Sequence, residues 1–164
     1  KAVSALQRHE PRIAAVRDLM DELVGMDEPR RHVVGLISGL DVHYDLGEGH
    51  PLLGRRMPDL DLLDGDAEVR VYSLLHEGRP VLINFGPPGT ASVGPGVGRV
   101  RVLDATYAGG WELPVIGAVT APLAVLVRPD GYVAWVGEGT RSGLDEALAT
   151  WFGMPDRPGG REGL

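Results

Sequence analysis

Pro80 to Gly96 reads "PVLINFGPPGTASVGPG", an apolar run that passes directly into a loop of glycine and proline. Five consecutive residues, Val81 to Phe85, carry only one polar side chain, the pattern of a strand covered on both faces of a sheet. The loop that follows is where α/β proteins place phosphate-binding or redox chemistry. A phosphate loop needs Gly-x-x-x-x-Gly-Lys-Ser/Thr. Counting from Gly86 puts Ala91, Ser92 and Val93 at the last three positions, and counting from Gly89 gives Gly94, Pro95 and Gly96. Neither frame supplies the lysine or the magnesium-binding hydroxyl, and prolines remove N–H donors that would hold phosphate. The "GPGVG" segment also fails as a dinucleotide fingerprint, because a strand-like run follows it and not a helix.

Composition narrows the remaining classes. The chain has 164 residues, a net charge of -7 and no cysteine. That length suits one compact domain with a short appended segment, since roughly 70% of the unfolded chain's surface is then buried on folding. Without cysteine there is no disulfide, thiolate zinc site or thiol redox couple. The acidic balance and scattered arginines argue against a nucleic-acid partner, which would need a clustered positive patch. No apolar run approaches the roughly 20 residues that span a bilayer, and no signal sequence opens the chain, so we expect a cytoplasmic protein. The only lysine is Lys1, and its place where Met would stand leads us to expect part of a longer protein.

Outward from the central strand, the periodicity predicts an N-terminal helical arm. Pro11 suits a first helical turn, and Ile13, Val16, Met20, Leu23 and Val24 follow at helical spacing. Asp27 reads as the N-cap of a second helix carrying Val33, Leu36, Ile37 and Leu40, with Gly35 and Gly39 inside it, each costing about 1 kcal/mol against alanine. The apolar stripes of this pair need another surface. A boundary is expected around Asp45 to Arg56. Beyond it, Leu60, Leu62 and the Asp64-Gly65 turn predict a hairpin, and "YSLLHEG" a brief helical turn. Further strands are expected at Arg99 to Leu103, Leu123 to Arg128 and Tyr132 to Val136, the last two joined by Pro129-Asp130-Gly131, with a closing helix from Ser142 to Phe152. These elements make an α/β sandwich with a mixed central sheet.

"MPDLDLLDGDAEVRVYSLLHEGRPVLINFG" resembles the opening of thioredoxin-like and peroxiredoxin-like domains, and "VIGAVTAPLAVLVRPDGYVAWVGEGTRSGLDEALATWF" resembles the thioredoxin C-terminal half. The resemblance implies a thioredoxin-like sandwich and puts Pro122 at the family's cis-proline position. Gly86 to Thr90 stands where the cysteine pair would be, so thiol chemistry is excluded. The glycine-rich loop from Ala91 to Gly98 also leaves little room for the long helix that follows the active site in thioredoxins.

A second resemblance covers nearly all of residues 10 to 153. "GLISGLDVHYDLGEGHPLLGRRMPDLDL", "LLHEGRPVLINFG", "VRVLDATYAGGWELPVIGAVTAPLAVLVRPDGYVAWVGEG" and "GLDEALATWFG" are similar, in order, to the C-terminal portion of FAD-dependent aromatic polyketide hydroxylases. These are flavin monooxygenases of angucycline, anthracycline and tetracycline pathways, related to phenol hydroxylase. The resemblance implies three parts: residues 1–45, a helical segment resembling the end of the FAD/substrate part; residues 50–153, a cysteine-free thioredoxin-like domain; and residues 154–164, a flexible tail. A full member uses FAD and NAD(P)H, but its Gly-x-Gly-x-x-Gly and Gly-Asp motifs are not found here, so no catalytic, cofactor-binding or metal residue carries over. The implied partner is the FAD/substrate domain of a parent protein or an equivalent separate chain, with homodimerisation a further role. The alternative is a free-standing, redox-inactive thioredoxin-like binding module.

Other residues invite chemistry but have simpler readings. His32, His43 and His50 with Asp41 and Asp45 lack metal-ligand spacing on one face, and surface or capping roles suffice. Asp104 suits a strand end or turn cap, Tyr107 and Trp111 suit packing, and Trp135 and Trp151 suit core or interface positions. Arg55 and Arg56 suit an ion pair. A chain without sulfhydryls should leave insulin disulfides intact, so reduction above that of a boiled control would overturn this reading.

Overall fold

The computed structural model describes residues 11–94, 98–113 and 116–153. The tail expected at 154–164 lies outside them. The chain divides into two compact units between Asp41 and Val42. Among the described residues, no helix is long and apolar enough to cross a membrane.

The first unit pairs α1 (Pro11–Gly25) with α2 (Asp27–Ser38), as the 3.6-residue spacing predicts. The N-cap of α2 is Met26 rather than Asp27, with no side-chain cap bond. Asp27 enters the first turn, where a carboxylate faces the positive end of the helix dipole and pairs with Arg30 at i+3. Gly39 does not lie inside the helix but ends it, adopting the left-handed conformation (φ 69°) typical of a C-terminal glycine. Only Gly35 of α2 is buried, and Val16, Leu19, Met20, Val24, Val34, Leu36 and Ile37 remain exposed, Ile37 by 83%.

The second unit is built on a mixed four-stranded sheet, β4-β3-β7-β8, of β3 (Val81–Asn84), β4 (Arg101–Asp104), β7 (Ala124–Val127) and β8 (Val133–Gly137). β3 and β4 run parallel; β7 and β8 are antiparallel to their neighbours. Val81, Leu82 and Ile83 have no exposed surface, which accounts for the uninterrupted apolar run. Alternation sends Val81 and Ile83 to one face and Leu82 to the other, so each face has its own core. β4 starts two residues later than its sequence suggests. The register is set by Arg101 N–H on Pro80 O and Ala105 N–H on Asn84 O, both 2.9 Å.

The first face is covered by a hairpin, β1 (Asp61–Asp64) and β2 (Ala67–Arg70), by the single turn α3 (Val71–Leu74), and by residues 50–60. Gly65 makes the hairpin turn at φ 59°. A two-residue ladder, β5 (Glu112–Leu113) with β6 (Gly117–Ala118), had no sequence signal. The second face carries α4 (Leu144–Phe152), which packs Leu144 and Leu148 against Leu82, Leu126 and Ala134.

The stretch read as a boundary, Asp45 to Arg56, is instead bound into this unit. Leu52 is fully buried, and Gly54 N–H and Arg55 O pair with Val133, extending the sheet beyond β8. His50 is 5% exposed, accepts Leu52 N–H on Nδ1 at 3.1 Å and therefore donates from Nε2 to Thr120 O at 2.8 Å. The Arg128 guanidinium lies 4.0 Å from the Trp151 ring and 5.1 Å from that of Tyr44, and it pairs with Asp130. Entry segment, β7–β8 turn and α4 thus meet on one cation.

Gly54 is the tightest point of the entry segment. Its φ is +73°, and a Cβ there would lie 2.1 Å from the Tyr44 carbonyl oxygen. Gly54→Ala should destabilise the chain by more than about 1–2 kcal/mol, the ordinary cost of a left-handed alanine, read as a lower urea midpoint. An unchanged midpoint would mean that the segment does not dock as described.

Candidate functional site

The C-terminal end of β3 opens into the loop 86–90, the place where a redox pair was sought. What stands there is an amide network centred on Asn84, the one polar residue of the strand and 1% exposed. Its Nδ2 donates to Asp104 Oδ1 at 2.6 Å and to Pro87 O at 2.8 Å. Its Oδ1 accepts Gly86 N–H at 3.2 Å and lies 3.1 Å from the Thr90 hydroxyl, which also donates to Pro87 O at 2.7 Å. Both amide protons are thereby donated and the oxygen accepts one N–H, so each polar atom of this buried amide has a partner.

Asp104, the last residue of β4, completes the network by accepting Gly89 N–H on both carboxylate oxygens, at 3.1 and 3.2 Å. The Asn84 side chain, and after it the Gly89 backbone, hold the Asp104 carboxyl below its ordinary range. Asp104 therefore ends a strand and caps a turn. Tyr107 bonds Gly110 O and meets Trp111 edge to face with centroids 5.7 Å apart, so it does not join Asp104 as a catalytic pair.

A cavity of about 190 Å3 adjoins this network. Asn84, Gly86, Pro87, Thr90 and Ala91 form one wall; Leu123, Ala124, Trp135 and Gly137 form the other; Gly139, Thr140 and Arg141 form the rim. No histidine, lysine or cysteine lines it, and Thr90 has no base to activate it, so the arrangement can bind but holds no nucleophile. Sequence reading had singled out Trp135 and Asp104 here but missed Asn84, Thr90 and Arg141. One amide in an otherwise apolar strand was the available signal.

The remaining candidates lie elsewhere. His43 sits 3.1 Å from Leu53 O and His50 is committed as described, while His32 is exposed on α2. No group of three or more His, Asp or Glu side chains converges on a common point among the described residues. Arg56 donates from Nε to Tyr72 Oη at 3.0 Å, with its guanidinium 5.7 Å from that ring. Trp151 stacks on Arg128.

Pro122 is a correction. No peptide bond among the described residues is cis, so Ala121–Pro122 is trans. Trans is favoured by about 0.5–1 kcal/mol before proline. Here it feeds the chain straight into the sheet, with Leu123 N–H on Gly137 O at 2.9 Å and Leu123 O accepting from Phe85 and Gly86.

Because the Asp104 carboxyl titrates below its unfolded value of about 3.9, it stabilises the fold above that pH. That contribution is lost as pH falls through the lower, folded value. The thermal midpoint of the wild type should exceed that of Asp104→Asn at pH 6, and the gap should close on acidification toward pH 2 or below. A gap that stays constant with pH would refute the ionic contribution.

Comparison with known proteins places this geometry. Residues 50–155 match the family model described as aromatic-ring hydroxylase, C-terminal. The chain is 40% identical over 157 residues to a 12-dehydrotetracycline 5-monooxygenase/anhydrotetracycline 6-monooxygenase of Streptomyces rimosus, covering 94% of this chain and 31% of that protein. It is 38% identical to a rifampicin monooxygenase of Streptomyces venezuelae over 159 residues, 93% of this chain and 29% of that protein. The solved structure of an aromatic hydroxylase from angucycline biosynthesis superposes with a TM-score of 0.72 at 38% identity, over 88% of this chain and 29% of that one. The chain thus spans less than a third of the length of these relatives. On these matches, the chain belongs to the aromatic-ring hydroxylase C-terminal family.

Proposed function

We propose that this chain is the C-terminal part of a cytoplasmic, FAD- and NAD(P)H-dependent aromatic polyketide hydroxylase, and that it serves that enzyme as a redox-inactive structural and interdomain module. The observation that carries the reading is coverage: the similarity runs through 94% of this chain and only 31% of the relative. The exposed apolar side chains of α1 and α2 support it, because an amphipathic helix face needs a partner surface. We further read the second unit as thioredoxin-like. The parallel β3–β4 pair beside the antiparallel β7–β8 hairpin, with α4 following, supports that assignment.

Among the described residues, those lining the cavity beside Asn84 do not fit a flavin. The cavity beside Asn84 has room for about one aromatic ring, too little for a three-ring isoalloxazine with its dinucleotide. Its single charged lining residue, Arg141, is one cation where a pyrophosphate would call for a helix N-terminus in a glycine-rich turn. Flavin, substrate and oxygen chemistry therefore fall to the preceding part of the proposed parent, and this chain contributes shape and contact surface.

Sequencing the coding DNA upstream of the Lys1 codon tests the proposal. The expected result is a long in-frame extension containing Gly-x-Gly-x-x-Gly and Gly-Asp motifs. A nearby start codon would make the chain a free-standing module and refute it. The purified 164-residue chain, mixed with FAD and desalted, should emerge colourless. Flavin absorbance near one equivalent would instead place cofactor binding within these residues.

A further inference from the structure

The second face of the sheet is covered unevenly. α4 lies over β8 and the loop 86–94 lies beside β3, and no helix stands between them among the described residues. The 190 Å3 cavity is the space left there. Trp135 cannot swing in to fill it. Its Nε1 donates to Ser142 O at 2.8 Å, and its ring rests on Gly137 so closely that a Cβ there would come within 2.5 Å of the indole.

Most polar groups of the lining are already committed. Asn84 has no donor to spare and its oxygen already accepts Gly86 N–H, and the Thr90 proton goes to Pro87 O. Arg141 differs: its contacts to Ser92 Oγ at 3.4 Å and Asp145 Oδ1 at 3.6 Å are long, and a guanidinium carries five N–H donors. A ligand would therefore meet apolar walls at Ala91, Leu123 and Trp135 and one cation at the rim.

We propose that this cavity binds a single-ring aromatic carboxylate, with the ring against Trp135 and the carboxylate on Arg141. Size sets the ring count, because an apolar cavity of about 150 Å3 accepts benzene, and this one, at 190 Å3, takes one ring with a short substituent. Charge sets the substituent, because a planar carboxylate matches the guanidinium fork. Asp145 must yield its place on Arg141. It is 88% exposed, and such surface pairs are weak. The site stands independently of the hydroxylase reading, since it uses only groups of this chain.

The test is a titration of the 15N-labelled chain with benzoate, benzyl alcohol and acetate, following the Trp135 indole N–H and the amides of Gly139 and Thr140. Benzoate should shift all three saturably with a dissociation constant of about 1 mM or tighter, and acetate should not. Arg141→Gln should weaken benzoate about tenfold while leaving benzyl alcohol unchanged, and Asp145→Asn should strengthen benzoate. Ala91→Leu should block both aromatic ligands. If that variant melts early, the two surface variants decide the matter. No saturable shift at Trp135, an equal response to acetate, or indifference to Arg141→Gln would overturn the proposal, even if the upstream DNA encodes a complete oxygenase.

Discussion

The complete burial of β3 is the constraint from which the second unit follows. A strand with Val81, Leu82 and Ile83 all out of water needs cover on both faces, and each buried aliphatic side chain contributes about 1.5–3 kcal/mol only if that cover exists. On the first face the cover is generous: a hairpin, a helical turn and the 50–60 segment enclose Val81 and Ile83. On the second face one nine-residue helix and a loop must suffice. Among the described residues, the sheet of this unit is therefore closed on one face and thinly roofed on the other.

The thin side is held by polar chemistry in place of apolar bulk. Asn84 sits at the end of the buried strand and ties the loop after β3 to the end of β4 through Asp104. Such a network stabilises only while every member is satisfied, and no buried side-chain nitrogen or oxygen lacks a partner among the described residues. These bonds tie residues 86–90 down despite their glycines. A fixed loop beside a fixed indole preserves an unfilled space between them, whereas a mobile loop would collapse into it.

Much of this was legible from residues alone. Helical spacing located α1, α2 and α4, the apolar run located β3, and Asp64-Gly65 and Pro129-Asp130-Gly131 located two turns. What escaped reading depends on non-local partners. The alternating segment "RVRVLD" fits a strand in more than one frame, and only pairing with Pro80 and Asn84 fixes it at Arg101–Asp104. The segment from Asp45 to Arg56 looks like a linker by its glycine and proline content, yet its carbonyls and amides find partners on β8, some 80 residues away in sequence. Asn84 reads as a lone polar residue until Asp104, 20 residues later, is placed beside it. Arg141 gave no signal, because its role arises from the space in front of it.

The docking of residues 54–57 along β8 has a consequence for how the unit can be divided. Gly54 and Arg55 occupy the backbone groups of Val133, Arg56 bridges Tyr132, and Met57 N–H takes Gly131 O. A polypeptide beginning after Arg56 would retain the complete four-stranded sheet yet leave the Val133 N–H and C=O, at the start of its outermost strand, without these partners, lengthening the open edge to which another chain could add. A cut that separates this unit from what precedes it and keeps this pairing must fall upstream of Gly54. The short entry segment thus covers the start of the sheet's outer edge.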